Sequence, residues 1–253
     1  MKISPKASHI PDTLRASFLS LAEPLKYLEG GVICKERDYD RSLYMLAEGR
    51  LKVSKRHDSG TEKTVTLLEP GDIFGEINFV YGSQRIASVV AIEPSTVYRL
   101  SPQQAEEIIR TSDDLYVFLQ SLGTRRWVAS LLNTLDLFHD VSEENIAKLI
   151  QHSNYRILAA GNRLYSPGDT LNTFYILLSG MLEMAHINGT EIEAEHGQCL
   201  IPAEAISGHK VSWRASSVSE TIIATIPMAQ ILLERQNNPL FAAKLEKVLV
   251  KAS

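Results

Sequence analysis

The chain has 253 residues, 44% hydrophobic and 22% charged, with a formal net charge of -4 at pH 7. These values fit a globular protein with room for two compact domains and exclude a disordered or fibrous chain. No apolar run approaches the roughly 18 residues needed to span a bilayer, so no membrane association is expected, and the net negative charge gives no general attraction to DNA.

The first residues, Met1 to Lys6, carry some positive charge with no apolar stretch behind them, so a secretory signal is not expected and cytoplasmic residence is. Cys34 and Cys199 lie far apart in strand-like surroundings, which reads as two packing cysteines in a reducing compartment. From about Leu43 the segments are short, rich in Val, Ile, Leu, Tyr and Thr, and punctuated by Asp58-Ser59-Gly60 and Glu69-Pro70-Gly71-Asp72, the signature of antiparallel strands and turns. Alternation in Leu51-Lys52-Val53-Ser54-Lys55 puts one face inward and one toward water. Ser101-Pro102-Gln103-Gln104 is a helix start, with Ser at the cap, Pro at the first position and Gln three residues after the cap. Helical spacing continues through Leu115, Phe118, Leu119 and Leu122, then Trp127, Leu131 and Leu132, and a further helix starts at Ser142. Arg125-Arg126 reads as a solvated helix face.

The pattern then repeats at a spacing of about 130 residues, right for a duplicated domain and too long for a solenoid. Leu43 to Leu51 answers to Phe174 to Leu182, Asp38 to Asp169, Gly60-Thr61-Glu62 to Gly189-Thr190-Glu191, and Arg85 to Arg214. The expected architecture is mainly β with flanking helices, in two domains spanning 1–135 and 136–253.

The sharpest segment runs from Gly71 to Ala91, with Phe74-Gly75-Glu76 followed by Arg85-Ile86-Ala87. A short helix after Gly75 would aim free N–H groups at an anion, and the Arg85 fork could grip phosphate oxygens. Ionised Glu76 would accept from a hydroxyl, and Gly75 leaves room for close backbone approach. This segment resembles the phosphate-binding cassette of cyclic-nucleotide-binding domains, and the resemblance extends from about Tyr27 to Pro227. It implies tandem double-stranded β-helix (jelly-roll-like) domains and a ligand site of Gly75, Glu76, Ile77, Arg85, Ile86 and Ala87. Glu76 would hold the ribose 2′-hydroxyl and Arg85 the phosphate. Asn78 and Ile86 depart from the small or hydroxylic residues usual there.

In the second copy, Ala203, Glu204, Arg214, Ala215 and Ser216 are the candidates for an eroded second site. The implied activity is that of a non-enzymatic receptor for cAMP or a related cyclic nucleotide. Its output would pass through helix movement to a protein partner or another copy of the chain. The segment after Pro227 reads as too short for the DNA-binding domain of the family's transcription factors. Tyr116, Phe118 and Trp127 are candidates to cover the base. Two other readings compete: a structural module with relic cassettes, and a receptor for another nucleotide-like ligand. The histidines show no His-x-His pair, so neither a metal site nor any other cofactor is expected.

Overall fold

A computed structural model describes residues 9–56 and 62–251, so Met1 to Lys6, Asp58-Ser59-Gly60 and part of the Gly60-Thr61-Glu62 correspondence lie outside the described residues. The chain divides into two compact units, one up to Arg126 and one from Trp127.

The first unit contains α1 (Asp12–Leu21), β1 (Glu23–Tyr27), β2 (Val32–Cys34), β3 (Leu43–Glu48), β4 (Leu51–Arg56), β5 (Glu62–Leu68), β6 (Ile73–Phe74), α2 (Glu76–Tyr81), β7 (Ser88–Ala91), β8 (Ser95–Leu100) and α3 (Pro102–Thr111), followed by α4 (Asp114–Thr134), which contains the division between the units. Its strands form two antiparallel sheets, β1-β8-β3-β6 and β2-β7-β4-β5. β3 is buried on both faces, and its period of two sorts the side chains. Tyr44 and Leu46 join Leu51, Phe74, Val89 and Val97 in one core cluster. Leu43 and Met45 belong to another, with Ile73 and the helical residues Phe18, Ile108, Leu115, Leu119 and Leu122.

Local chemistry sets the boundaries. The Ser101 hydroxyl accepts the Gln104 N–H at 3.3 Å, and the Gln104 side chain accepts the Ser101 N–H at 2.8 Å, a capping box that starts α3 behind Pro102. Gly49 (φ 87°) turns β3 into β4, where a Cβ would press on Ser95 and the Pro94 carbonyl; Gly180 (φ 89°) has the same role in the second unit, against Thr221.

The second unit, beyond the C-terminal part of α4, contains a 3-10 turn (Asp136–Phe138), α5 (Glu143–His152), β9 (Asn154–Leu158), β10 (Arg163–Tyr165), β11 (Thr173–Ser179), β12 (Leu182–His186), β13 (Glu191–Ala194), α6 (Ala203–Ile206), β14 (Trp213–Ser217), β15 (Thr221–Pro227), α7 (Met228–Asn237) and α8 (Pro239–Val248). Its sheets, β10-β14-β12-β13 and β11-β15-β9, repeat the antiparallel plan of the first unit. Mainly β structure with flanking helices, present twice, is therefore the architecture. No described helix is long and apolar enough to cross a membrane.

Candidate functional site

In the first unit, Arg85 precedes β7 and is tied by its backbone to the segment after β2. Its N–H donates to the Asp38 carbonyl at 2.8 Å, and its own carbonyl accepts the Arg37 N–H at 2.8 Å. The side chain is 5% exposed. Its Nη1 donates to the Gly75 carbonyl at 3.1 Å, and its Nη2 donates to the Ser42 carbonyl at 2.7 Å and reaches Asp40 Oδ2 at 3.3 Å. The guanidinium also lies 5.7 Å from the centre of the Tyr44 ring. Its Nε is buried with no hydrogen-bond partner among the described residues.

Asp40 organises this cluster. Its carboxylate accepts the Ser42 N–H at 3.1 Å, the Ser42 hydroxyl at 2.8 Å and the Tyr44 hydroxyl at 3.0 Å. Burial pushes its pKa up, but the bonds from Ser42 and Tyr44 and the charge of Arg85 outweigh that and hold it below its ordinary value. Cys34 is close enough for Arg85 to favour its thiolate, yet burial dominates and raises the thiol to about 11; burial likewise raises Cys199 to about 12. Both stay neutral thiols at physiological pH, as packing cysteines do.

Gly75 caps α2 in the left-handed region (φ 88°), and a Cβ there would lie 2.5 Å from Arg85 Nη1 and 2.7 Å from the Ser42 carbonyl. Only glycine fits both the conformation and the space. Glu76 is 2% exposed and pairs with Arg126 of α4, whose Nη1 stands 3.0 Å from Oε1 and donates to the Ile73 carbonyl at 2.7 Å. α4 meets α2 again where the hydroxyls of Tyr81 and Thr124 lie 2.6 Å apart. Arg126 is therefore not part of a solvated face: its side chain is 15% exposed and holds a buried carboxylate.

The remaining predicted residues surround this centre. Ile77 is buried in α2, and Ile86 and Ala87 are half-buried in the bend before β7. The Asn78 side-chain amide donates to the Ser83 carbonyl, in the loop behind α2. Of the three aromatics, Phe118 packs on the helical core cluster, Trp127 is buried and Tyr116 is half-exposed. Sequence reasoning missed Asp40, Ser42, Tyr44 and Arg126, none of which stands in the cassette itself.

The second unit requires a correction to the repeat. Gly71 N–H donates to the Leu46 carbonyl and Gly197 N–H to the Leu177 carbonyl, which fixes the start of the two cassettes. The residue whose N–H donates to Asp169, as Arg85 does to Asp38, is Val211, at 2.9 Å. Val211 follows Gly197 by as many positions as Arg85 follows Gly71. Arg214 instead pairs with Ala185 inside the β12–β14 ladder, as Ser88 pairs with Ser54 in the first unit. It extends to Glu183 at 3.0 Å, while Glu204 accepts the Ser212 N–H at 2.8 Å. The two charges of the expected second site thus engage separate partners. By the same register Leu171 stands where the first unit has Asp40, Ile201 where it has Gly75, and Pro202 where it has Glu76. Ala203 lies in α6 and donates its N–H to the Val250 carbonyl at 3.0 Å; Ala215 and Ser216 lie in β14.

A left-handed glycine, a buried carboxylate and a buried guanidinium with one open donor are the parts of the cassette, and the sequence comparison agrees. Residues 24–112 match the cyclic nucleotide-binding domain family. This domain covers the site from β1 through α3. Among its relatives is the cyclic AMP receptor protein of Thermus thermophilus, 33% identical over 92 residues, a stretch covering 36% of this chain and 43% of that protein. The regulatory subunit of cAMP-dependent protein kinase from Schizosaccharomyces pombe is 28% identical over 152 residues, covering 56% of this chain and 35% of that one. The chain thus spans less than half the length of either relative. Among solved structures, the regulatory domain of Toxoplasma gondii PKA, crystallised with cAMP, shares 18% identity, with 94% of this chain and 89% of that one covered, at a TM-score of 0.42.

Proposed function

We propose that the first unit is a non-enzymatic cytoplasmic receptor site for a cyclic mononucleotide, cAMP in preference to cGMP, formed by Gly75, Glu76, Ile77, Arg85, Ile86 and Ala87. The observation that carries this reading is the buried Arg85 guanidinium, whose Nε has no partner among the described residues. A buried donor without an acceptor is costly, and an anionic oxygen entering beside Gly75 would satisfy it. Glu76 then accepts from the ribose 2′-hydroxyl. Because Glu76 is already paired with Arg126, ribose and α4 meet at one carboxylate, so occupancy and helix position are thermodynamically linked. The functional first domain accordingly runs over 1–135 and includes all of α4, with the eroded copy over 136–253. The message passes through α4 to a protein partner or a second copy of the chain. The preference for cAMP rests on Ile86, which has no hydroxyl to offer a guanine amino group.

Calorimetric titration of the full chain with cAMP and cGMP tests this reading. Arg85→Leu should weaken cAMP binding by about tenfold to a few hundredfold, the range of a charge-assisted hydrogen bond. Glu76→Ala should cost less, and less again against a 2′-deoxy analogue. Unchanged affinity in Arg85→Leu overturns the site, and tighter cGMP binding overturns the base preference. Hydrogen exchange protection confined to Gly71 through Ala91, with none in α4, overturns the route of transmission.

A further inference from the structure

The second unit contains a cavity of about 400 Å³ between β11, β12, β13, the 3-10 turn and α8. Gly197, Gln198 and Cys199 bring the start of the second cassette to its wall, but none of Leu171, Ile201, Pro202 or Val211, the counterparts of the polar set in the first unit, lines it. Its walls are apolar, with Ile176, Met184 and Ala194 on the strands and Leu135 and Leu137 facing them from the start of the unit. Those three strand residues are at most 2% exposed. Small-molecule sites begin at roughly 300 Å³ and are lined mainly by apolar side chains with a few polar groups, as this one is.

The charged lining residues limit what the occupant can be. Lys244 is committed, with Nζ 3.0 Å from Asp136 and 2.7 Å from Asp140. Lys247, one turn of α8 further on, has no ion pair among the described residues and lines the same cavity. One uncommitted ammonium in a lining that also contains the Asp136 carboxylate favours a monoanion and disfavours a doubly charged head such as phosphate. Val248 and Val250 complete the lining, and Val250 is fixed in place by its N–H bond to the Ile201 carbonyl at 2.9 Å.

We propose that this cavity binds an apolar monocarboxylate of the fatty-acid class, with its acyl chain against Ile176, Met184 and Ala194 and its carboxylate on Lys247. The test is calorimetric titration of the full chain with dodecanoate below its micellar concentration. Dodecanoate should bind with a dissociation constant on the order of 10 µM, and decanoate about fifteenfold more weakly, since each buried methylene is worth about a factor of four. Lys247→Glu should weaken dodecanoate about tenfold or more and leave 1-dodecanol unaffected, the split a merely structural role would not produce. Ala194→Phe should remove binding by filling the cavity. If thermal unfolding shows that this variant does not fold, Val248→Trp obstructs the cavity from a position already 38% exposed. No heat up to roughly 1 mM dodecanoate, or parental affinity in both Lys247→Glu and Val248→Trp, overturns the proposal. Competition between cAMP and dodecanoate overturns it as well, by placing both in one site; failure of cAMP to bind bears only on the first unit.

Discussion

The two units follow the same strand plan, yet at the heart of the cassette they make opposite choices. In the first, Arg85 and Asp40 lie 3.3 Å apart, and Arg85 is 5% exposed. In the second, the equivalent positions are Val211 and Leu171, 2% and 9% exposed. Both members of the pair have become apolar, as they must, because a buried charge left without its partner costs far more than a packed hydrocarbon in the same space. Gly75 and Glu76 changed with them, to Ile201 and Pro202. A barrel can therefore keep its fold while its charged centre is exchanged for an apolar one. The whole polar set is retained in the first unit, the unit for which binding is proposed.

The harshest way to break this comparison is Val211→Arg. With Leu171 rather than Asp beside it, the new charge should destabilise the second unit by about 3–5 kcal/mol in urea unfolding, and adding Leu171→Asp should recover part of the loss. If Val211→Arg is tolerated without cost, the correspondence with Arg85 is broken. Gly75→Ala comes next. It forces a side chain into the left-handed region and against Arg85, so stability of the first unit should fall by about 1–2 kcal/mol, and cAMP affinity should fall with it as the guanidinium is displaced. Parental stability and affinity would show that the glycine is incidental.

Asp40→Asn should have the smallest effect, because its side chain is 45% exposed and solvent screens the pair with Arg85: about 1 kcal/mol or less at neutral pH. Its pH dependence is the sharper signal. The folded pKa of Asp40 lies below its unfolded value, so its contribution is complete above roughly pH 4 and is lost as pH falls through the folded value. Stability of the first unit should therefore lose part of its acid sensitivity in Asp40→Asn. An unchanged profile between about pH 3 and 5 would show that other carboxylates carry it.

The duplicated β plan, the capping box at Ser101 and the Gly75-Glu76 to Arg85 span were legible in the sequence because each is a local pattern. Asp40 was not, since it lies 45 residues from the arginine it serves, and only the folding of the β2–β3 connection onto the cassette brings them together. Arg126 was misread for a related reason: beside Arg125 it looks like surface charge, and nothing in helical spacing records a buried carboxylate on a different element. The second cassette failed differently. Ala203-Glu204 and Arg214 repeat the right letters two to three places out of register, and a strand shifted by an odd number of residues presents its side chains on the opposite face. Hydrogen-bond register, rather than residue identity, decides which arginine is equivalent.

The equal span from Gly71 to Arg85 and from Gly197 to Val211 makes the second barrel a scaffold for transplantation. A graft of the first cassette would need no insertion or deletion, only exchange of side chains along the loop together with Leu171→Asp, Pro202→Glu and Ile201→Gly. The Val250 carbonyl that accepts the Ala203 N–H would have to be released, because it occupies a backbone donor at the start of α6. Such a chimera would carry the Asp40, Gly75, Glu76 and Arg85 arrangement twice in one chain, and the second set could be altered independently of the first.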